Sequence, residues 1–189
     1  MRYVIVDLEA TCWESGHSRD QMEIIEIGAV LLPSAADKPS DEFARFIRPA
    51  IEPTLSDFCK NLTSIAQTDV DNADTFPTVF DDFLKWIGAD QYVLCSWGAY
   101  DLNQFRLDCQ RHGIPFPDQF ERHINLKKEF ASLFNVKPCG MATALKRVGI
   151  PLKGTHHRGI DDARNIASLA RLILPQIEYS RKVDATCQS

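Results

Sequence analysis

Asp7 and Glu9 lie two residues apart in the stretch YVIVDLEATC, Tyr3 to Cys12. The residues leading in favour a strand, in which side chains alternate between faces. Both carboxylates therefore project the same way, and Leu8 projects oppositely. Like charges that close raise each other's pKa, and burying an unpaired charge adds to the cost. Either the pair stands in water at a strand end, or something strongly positive sits between the two acids. A divalent metal ion is the simplest such group. The apolar run before the pair and ATC after it suggest a central strand, which weakens the first reading and leaves both open.

Three further residues invite the same question. Asp101, in SWGAYDLNQF, follows an apolar strand and stands at the start of a helix. Asp is a favoured helix N-cap, but the C-terminal end of a central strand in an open α/β sheet is also where sites form. Asp162 opens the stripe Asp162, Ile166, Leu169, Ile173, spaced i, i+4, i+7 and i+11 on one helical face. It is thus an inward position, whereas Asp161 is rotated away and suits the positive end of the helix dipole. His157 lies five residues before Asp162, in the loop ahead of that helix. His156 beside it has no evident role.

The elements that must carry these residues follow from periodicity. RYVIVDLE, EIIEIGAVLL and EFARFIRP read as three consecutive strands joined by loops, an antiparallel meander. TLSDFCKNLTSIAQTDVDNA reads as short helical turns. Phe76, Val79, Phe80, Phe83, Leu84 and Ile87 recur at helical spacing, and Gly88 stops the run. YVLCSW is a short central strand, YDLNQFRLDCQRHG a helix, HINL a fifth strand, and KKEFASLF and GMATALKRVGIP helices. GIDDARNIASLARLILP is the last helix, with its stop expected at Pro175. The order predicts one α/β domain over residues 1–175: a mixed five-stranded sheet with helices on both faces, then a polar, frayed tail over 176–189.

Composition sets the outer bounds. The chain has 189 residues, 44% apolar and 25% charged, which suits one folded domain. No apolar run is long enough to cross a membrane, and the N-terminus does not read as a signal peptide. Six cysteines without a C-x-x-C pair give no support to a zinc or redox motif, and Cys59, Cys95 and Cys109 read as buried small hydrophobes. The expected compartment is a reducing cytoplasm. Net charge is −5, which taken alone argues against a nucleic-acid partner. Its distribution is uneven: residues 1–120 hold 9 Lys and Arg against 20 Asp and Glu, and residues 121–189 hold 12 against 6.

In this order, D-x-E on the first strand, an Asp after a later strand and H-x-x-x-x-D opening the last helix, the sequence resembles the DEDDh exonucleases of ribonuclease H-like fold. More narrowly it is similar to the exoribonuclease group related to the histone-mRNA 3′ exonuclease and the enhancer-of-RNAi enzyme. That likeness rests on DLEATCW, EIIEIGAVLL, FIRPAIEPTLSDFCKNLTSI, ADTFPTV, SWGAYDLNQF and HRGIDDARNIASLA, and covers Arg2 to about Leu174. The family often has Gly where this chain has Ser64. Some members carry a further nucleic-acid-binding domain ahead of the nuclease, and substrate choice made there does not transfer.

The resemblance implies metal ligands at Asp7, Glu9, Asp101 and Asp162, and a general base at His157. Hard oxygen ligands suit two Mg²⁺ or Mn²⁺ ions rather than zinc. It implies hydrolysis of single-stranded RNA from the 3′ end to 5′-mononucleotides, with no membrane partner. For the terminal nucleotide it implies Phe58 and Leu62 against the base, Tyr100 for stacking, and backbone groups of Thr11 and Cys12 at the sugar hydroxyl. Core packing is the competing expectation for Phe58 and Leu62. The same chemistry on DNA or short oligonucleotides, and an idle module that binds RNA 3′ ends, are the other functional readings. Glu26 could bond groups near the site or be a strand-edge acid, and Lys127, Lys128, Arg158 and Arg164 are candidates for tracking phosphates.

Overall fold

The computed structural model describes residues 1–187, with side chains described through Ser180. Strands β1 (Arg2–Ala10), β2 (Ile24–Leu32) and β3 (Asp41–Phe46) form the expected antiparallel meander. Helices α1 (Asp57–Thr63), α2 (Gln67–Asp71) and α3 (Phe76–Ile87) follow. Then come β4 (Tyr92–Ser96), α4 (Tyr100–Arg111), β5 (Ile124–Asn125), α5 (Leu126–Leu133), α6 (Met141–Arg147) and α7 (Gly159–Cys187). The sheet order is β3-β2-β1-β4-β5, with β4 parallel to both β1 and β5. β1, which carries Asp7 and Glu9, is therefore central.

Alternation along β1 sends its side chains into two cores. Val4, Val6 and Leu8 pack with Phe80, Phe83 and Phe105 of α3 and α4. Tyr3 and Ile5 pack with Ile166, Leu169 and Ile173 of α7. Asp7 and Glu9 continue the second set, so they face the side on which α7 lies. Both clusters consist of buried residues, and the expected helices on both faces are present. Among the described residues no helix is long and apolar enough to cross a membrane.

α7 lies unusually close to the sheet, and Gly28 on β2 is the reason. A Cβ there would stand 2.0 Å from the Gly159 carbonyl carbon, so no larger residue fits without displacing the start of α7. Beside it the ladder shifts register between Glu9 and Ala10. Past that shift Ile24 joins the α3–α4 core rather than the face of Glu26, where strict alternation would put it.

α7 does not end at Pro175; the helix runs on to Cys187. The proline removes one backbone donor, a cost of about 3 kcal/mol in a helix interior. Packing offsets it: Ile173 and Leu174 are buried, Ile177 packs on the same core, and the Tyr3 hydroxyl donates to Glu178 Oε1 at 2.6 Å. The expected boundary at 175 thus falls inside a continuous helix, and residues 176–187 are not a frayed coil. Residues 188–189 lie outside the described residues.

Candidate active site

Asp7, Glu9 and Asp162 come together on the α7 side of β1, each offering a carboxylate oxygen within 4.8 Å of the others. Glu9 is 8% exposed and Asp162 4% exposed. The Asp162 carboxylate is pinned by one oxygen: Oδ2 accepts the His157 amide at 2.9 Å and lies 2.8 Å from His156 Nδ1. Its other oxygen, Oδ1, is buried without a hydrogen-bond partner. Asp161 behaves as its rotation predicts, accepting the Thr155 amide and pairing with Arg164 away from the cluster.

Asp101 is not a helix cap. Ala99 occupies the N-cap of α4, and Asp101 is the second helical residue. Its Oδ1 accepts the amide of Leu8, between the two acids of β1, at 3.0 Å. This bond ties α4 to the middle of the acid pair. Asp101 shares the cleft with the cluster, although its carboxylate lies outside the tight trio of Asp7, Glu9 and Asp162.

The electrostatic cost is visible in the proton affinities. Burial, with Asp101, Glu9 and Asp162 adding, raises the Asp7 carboxyl well above its ordinary value. Burial and then Glu26 push Glu9 up to about 8. Burial raises Asp101 to about 6, opposed by the Leu8 amide. Converging acids that resist ionisation, together with an orphaned buried carboxylate oxygen, are what a cation of high charge density would relieve. An all-oxygen donor set fits Mg²⁺ or Mn²⁺.

His157 faces the same cleft, half-buried at the start of the loop–helix junction. It holds a left-handed backbone, φ 64°, that turns the chain between loop and helix. Burial and the neighbouring His156 lower its pKa, and Asp162 opposes them. The loop is anchored by a residue whose role the sequence left open. Glu26, 2% exposed, accepts the Gly159 amide at 3.0 Å and Arg158 Nε at 3.2 Å. Arg158 also lies over the Phe46 ring, 5.1 Å from its centroid. Glu26 stands directly across the ladder from Glu9. Arg158 compensates Glu26, and Glu9 is left uncompensated.

The cleft has a volume of about 390 Å³. Its walls include Cys12, Leu62 and Tyr100, as expected for nucleotide contacts, and also Met22, Trp97 and Met141, which carried no sequence signal. Thr11 does not line it. Its amide donates to the Glu23 carbonyl and its hydroxyl accepts the Glu23 amide, which closes the β1–β2 connection. The Cys12 carbonyl accepts the Ser56 hydroxyl at 2.6 Å, which docks the N-cap of α1 beside the site. Glu23 reinforces this by accepting three successive amides, Ala50, Ile51 and Glu52. Of the basic candidates, Arg158 pairs with Glu26, and Arg164 pairs with Glu42 and Asp161.

Phe58 is 41% exposed and Leu62 37% exposed, one turn apart on α1. Neither belongs to a core cluster, which removes the packing expectation. Phe58 is not part of the cleft wall itself but stands on the same helical face as Leu62. If it covers the terminal base, Phe58→Ala weakens mononucleotide binding by about 1–3 kcal/mol, the usual range for an aromatic–base stack, with the melting temperature unchanged. Titration with a 5′-mononucleotide checks this, and equal affinity removes the ring from the site.

With this geometry in hand, comparison with known proteins is decisive. Residues 4–170 match the family model described as Exonuclease (RNase_T). The chain superposes on the nuclease domain of 3′hExo, a DEDDh family member bound to rAMP, with TM-score 0.86 and 33% identity over 93% of this chain and 92% of that one. The chain belongs to the DEDDh exonuclease family. Its sheet and helices are the ribonuclease H-like nuclease fold. It is 34% identical to human 3′-5′ exoribonuclease 1 over 175 residues, covering 88% of this chain and 50% of that protein. It is 32% identical to human ERI1 exoribonuclease 2 over 189 residues, covering 88% and 27%. A structure described as 3′-end-specific recognition of histone mRNA stem-loop by 3′-exonuclease aligns with TM-score 0.85 over 92% of this chain and 63% of that one. The chain spans half or less of the length of these two curated relatives. Members of this exonuclease family generally use divalent metals, and the oxygen cluster here suits them.

Proposed function

We propose that this domain is a 3′-to-5′ exoribonuclease that hydrolyses the terminal phosphodiester of single-stranded RNA and releases 5′-mononucleotides. One observation carries the reading: four acids from three separate elements, with His157, converge on a single cleft in a chain of this family. Two Mg²⁺ or Mn²⁺ ions are the proposed cofactors. Asp7, Glu9, Asp101 and Asp162 would hold them. When bound, they would neutralise the cluster and stabilise charge that builds on the phosphate oxygens.

The protein's own groups supply the rest. His157, kept neutral by its lowered proton affinity, accepts the proton of the attacking water at a ring nitrogen. Glu26 holds the loop so that the ring faces the cleft. Asp101 fixes the Leu8 amide and so the spacing of the β1 acids. Leu62, Tyr100 and Phe58 cover the terminal base without reading its identity.

The test uses one RNA labelled at its 5′ or its 3′ end, with and without EDTA, beside a DNA and a dinucleotide of the same sequence. The 3′ label is expected to leave first as a mononucleotide and the 5′ label to appear on a descending ladder, both abolished by EDTA. Preferred cleavage of DNA or dinucleotide reassigns the substrate. Binding without cleavage of any of them leaves an RNA 3′-end-binding module.

A further inference from the structure

His156 takes no part in the proposed reaction, yet it is built into the site. Its imidazole stacks on that of His157, with ring centroids 4.0 Å apart and planes 14° from parallel. Its Nδ1 reaches Asp162 Oδ2, and its side chain is 41% exposed, open to solvent ions. His156, His157 and Asp162 each offer a ligand atom, all within 4.8 Å of one another. This trio is separate in composition from the oxygen cluster of Asp7, Glu9 and Asp162, and the two share only Asp162.

The donor sets select different metals. Carboxylates alone suit Mg²⁺ and Mn²⁺, whereas two imidazoles and a carboxylate suit zinc and its neighbours. Zinc–nitrogen distances of about 2.0–2.1 Å place tetrahedral donors roughly 3.4 Å apart. The two rings are stacked nearly parallel, so one of them must turn out of the stack for both lone pairs to meet one ion, while Glu26 and Asp162 hold the loop backbone on either side of His157.

We infer that His156, His157 and Asp162 form an inhibitory zinc site at the mouth of the cleft. Zinc takes the place of the hydrogen between His156 Nδ1 and Asp162 Oδ2, and the neutral ring carries its one N–H on Nε2 instead. It also occupies the His157 lone pair that must accept a proton, and it draws on the carboxylate that the oxygen cluster needs. Site binding stands on geometry alone, whereas the inhibitory effect rests on the proposed exonuclease reaction.

Zinc binding is measured without substrate, in millimolar Mg²⁺, by competition with a chromophoric chelator and by ¹⁵N NMR of the imidazole rings. The wild-type chain is expected to bind one zinc and to shift the ring signals of both His156 and His157. His156→Gln is expected to bind more than about tenfold more weakly, since even outer-shell partners of a metal site are worth that much. Asp7→Asn, which breaks only the oxygen cluster, is expected to retain zinc binding. In the RNA assay, zinc is expected to inhibit in proportion to occupancy, and His156→Gln to need about tenfold more. Equal zinc affinity in His156→Gln, or unmoved His156 signals in the wild type, overturns the inference and puts the zinc among the carboxylates. A chain that binds zinc through both rings but cleaves nothing keeps the site and loses the exonuclease reading. One that cleaves RNA without this zinc binding does the reverse.

Discussion

Replacing His157 is expected to slow hydrolysis by about 10²–10⁴-fold, the usual worth of a positioned general base. The choice of replacement matters, because His157 sits at φ 64°. Asn tolerates the left-handed region better than Ala, so His157→Asn removes the base and keeps the turn. Both variants are expected to lose activity alike, while the Asp162 anchor, made through the backbone amide, persists. Wild-type rate should rise with pH on an acidic limb and then level. The base must be neutral, and burial and His156 lower its proton affinity, so the limb should inflect below 6.5. His157→Asn should flatten that limb. Turnover equal to wild type in both variants would take His157 out of the reaction.

The chemistry was legible where a residue's position followed from local periodicity. Alternation alone aimed Asp7 and Glu9 to one face, and the helical stripe alone turned Asp162 inward and Asp161 outward. The meander and the helix stops at Gly88 and Gly113 were equally local. Asp101 was undecided on sequence because a cap and a ligand occupy the same stretch. The N-cap at Ala99 removes the cap reading, and the long-range bond to the Leu8 amide holds Asp101 beside the β1 acids.

What the sequence hid depends on contacts between distant segments. Glu26 reads as any strand acid until Arg158 and Gly159 arrive from 132 and 133 residues away. Glu23, gripping Ala50 to Glu52, is the same case. Pro175 is a sound local stop that tertiary packing overrides. Ser64, where the family resemblance led to an expected Gly, is the left-handed C-cap of α1 at φ 59°. Its departure from the family pattern is a tolerated cap, not a change in the site.

In the absence of divalent cations, the protein is expected to lose stability as pH rises, and Mn²⁺ or Mg²⁺ should restore it most at the alkaline end. Glu9 is held up to about 8 against an ordinary 4.5, Asp101 to about 6 against 3.8, and Asp7 is also raised. The folded state therefore keeps protons that the unfolded chain has released. The contribution of these three acids to stability is fully present below about pH 4 and is lost as pH rises until the raised values are passed near 8. At about 1.4 kcal/mol per unit, Glu9 alone represents several kcal/mol, or on the order of 10 °C in melting temperature for a chain of this size. A cation binds the ionised carboxylates and offsets that repulsion. Melting curves in EDTA should fall between about pH 5 and pH 8, and those with Mn²⁺ should fall much less. Glu9→Gln and Asp7→Asn should flatten the EDTA curve and lose the response to Mn²⁺, becoming more stable and less active together. Parallel curves with and without cation would mean that the acids do not converge on a metal. The instability of the bare cluster is thus the measurable counterpart of its affinity for cations, since the repulsion that raises the carboxyl pKa values is what an ion removes on binding.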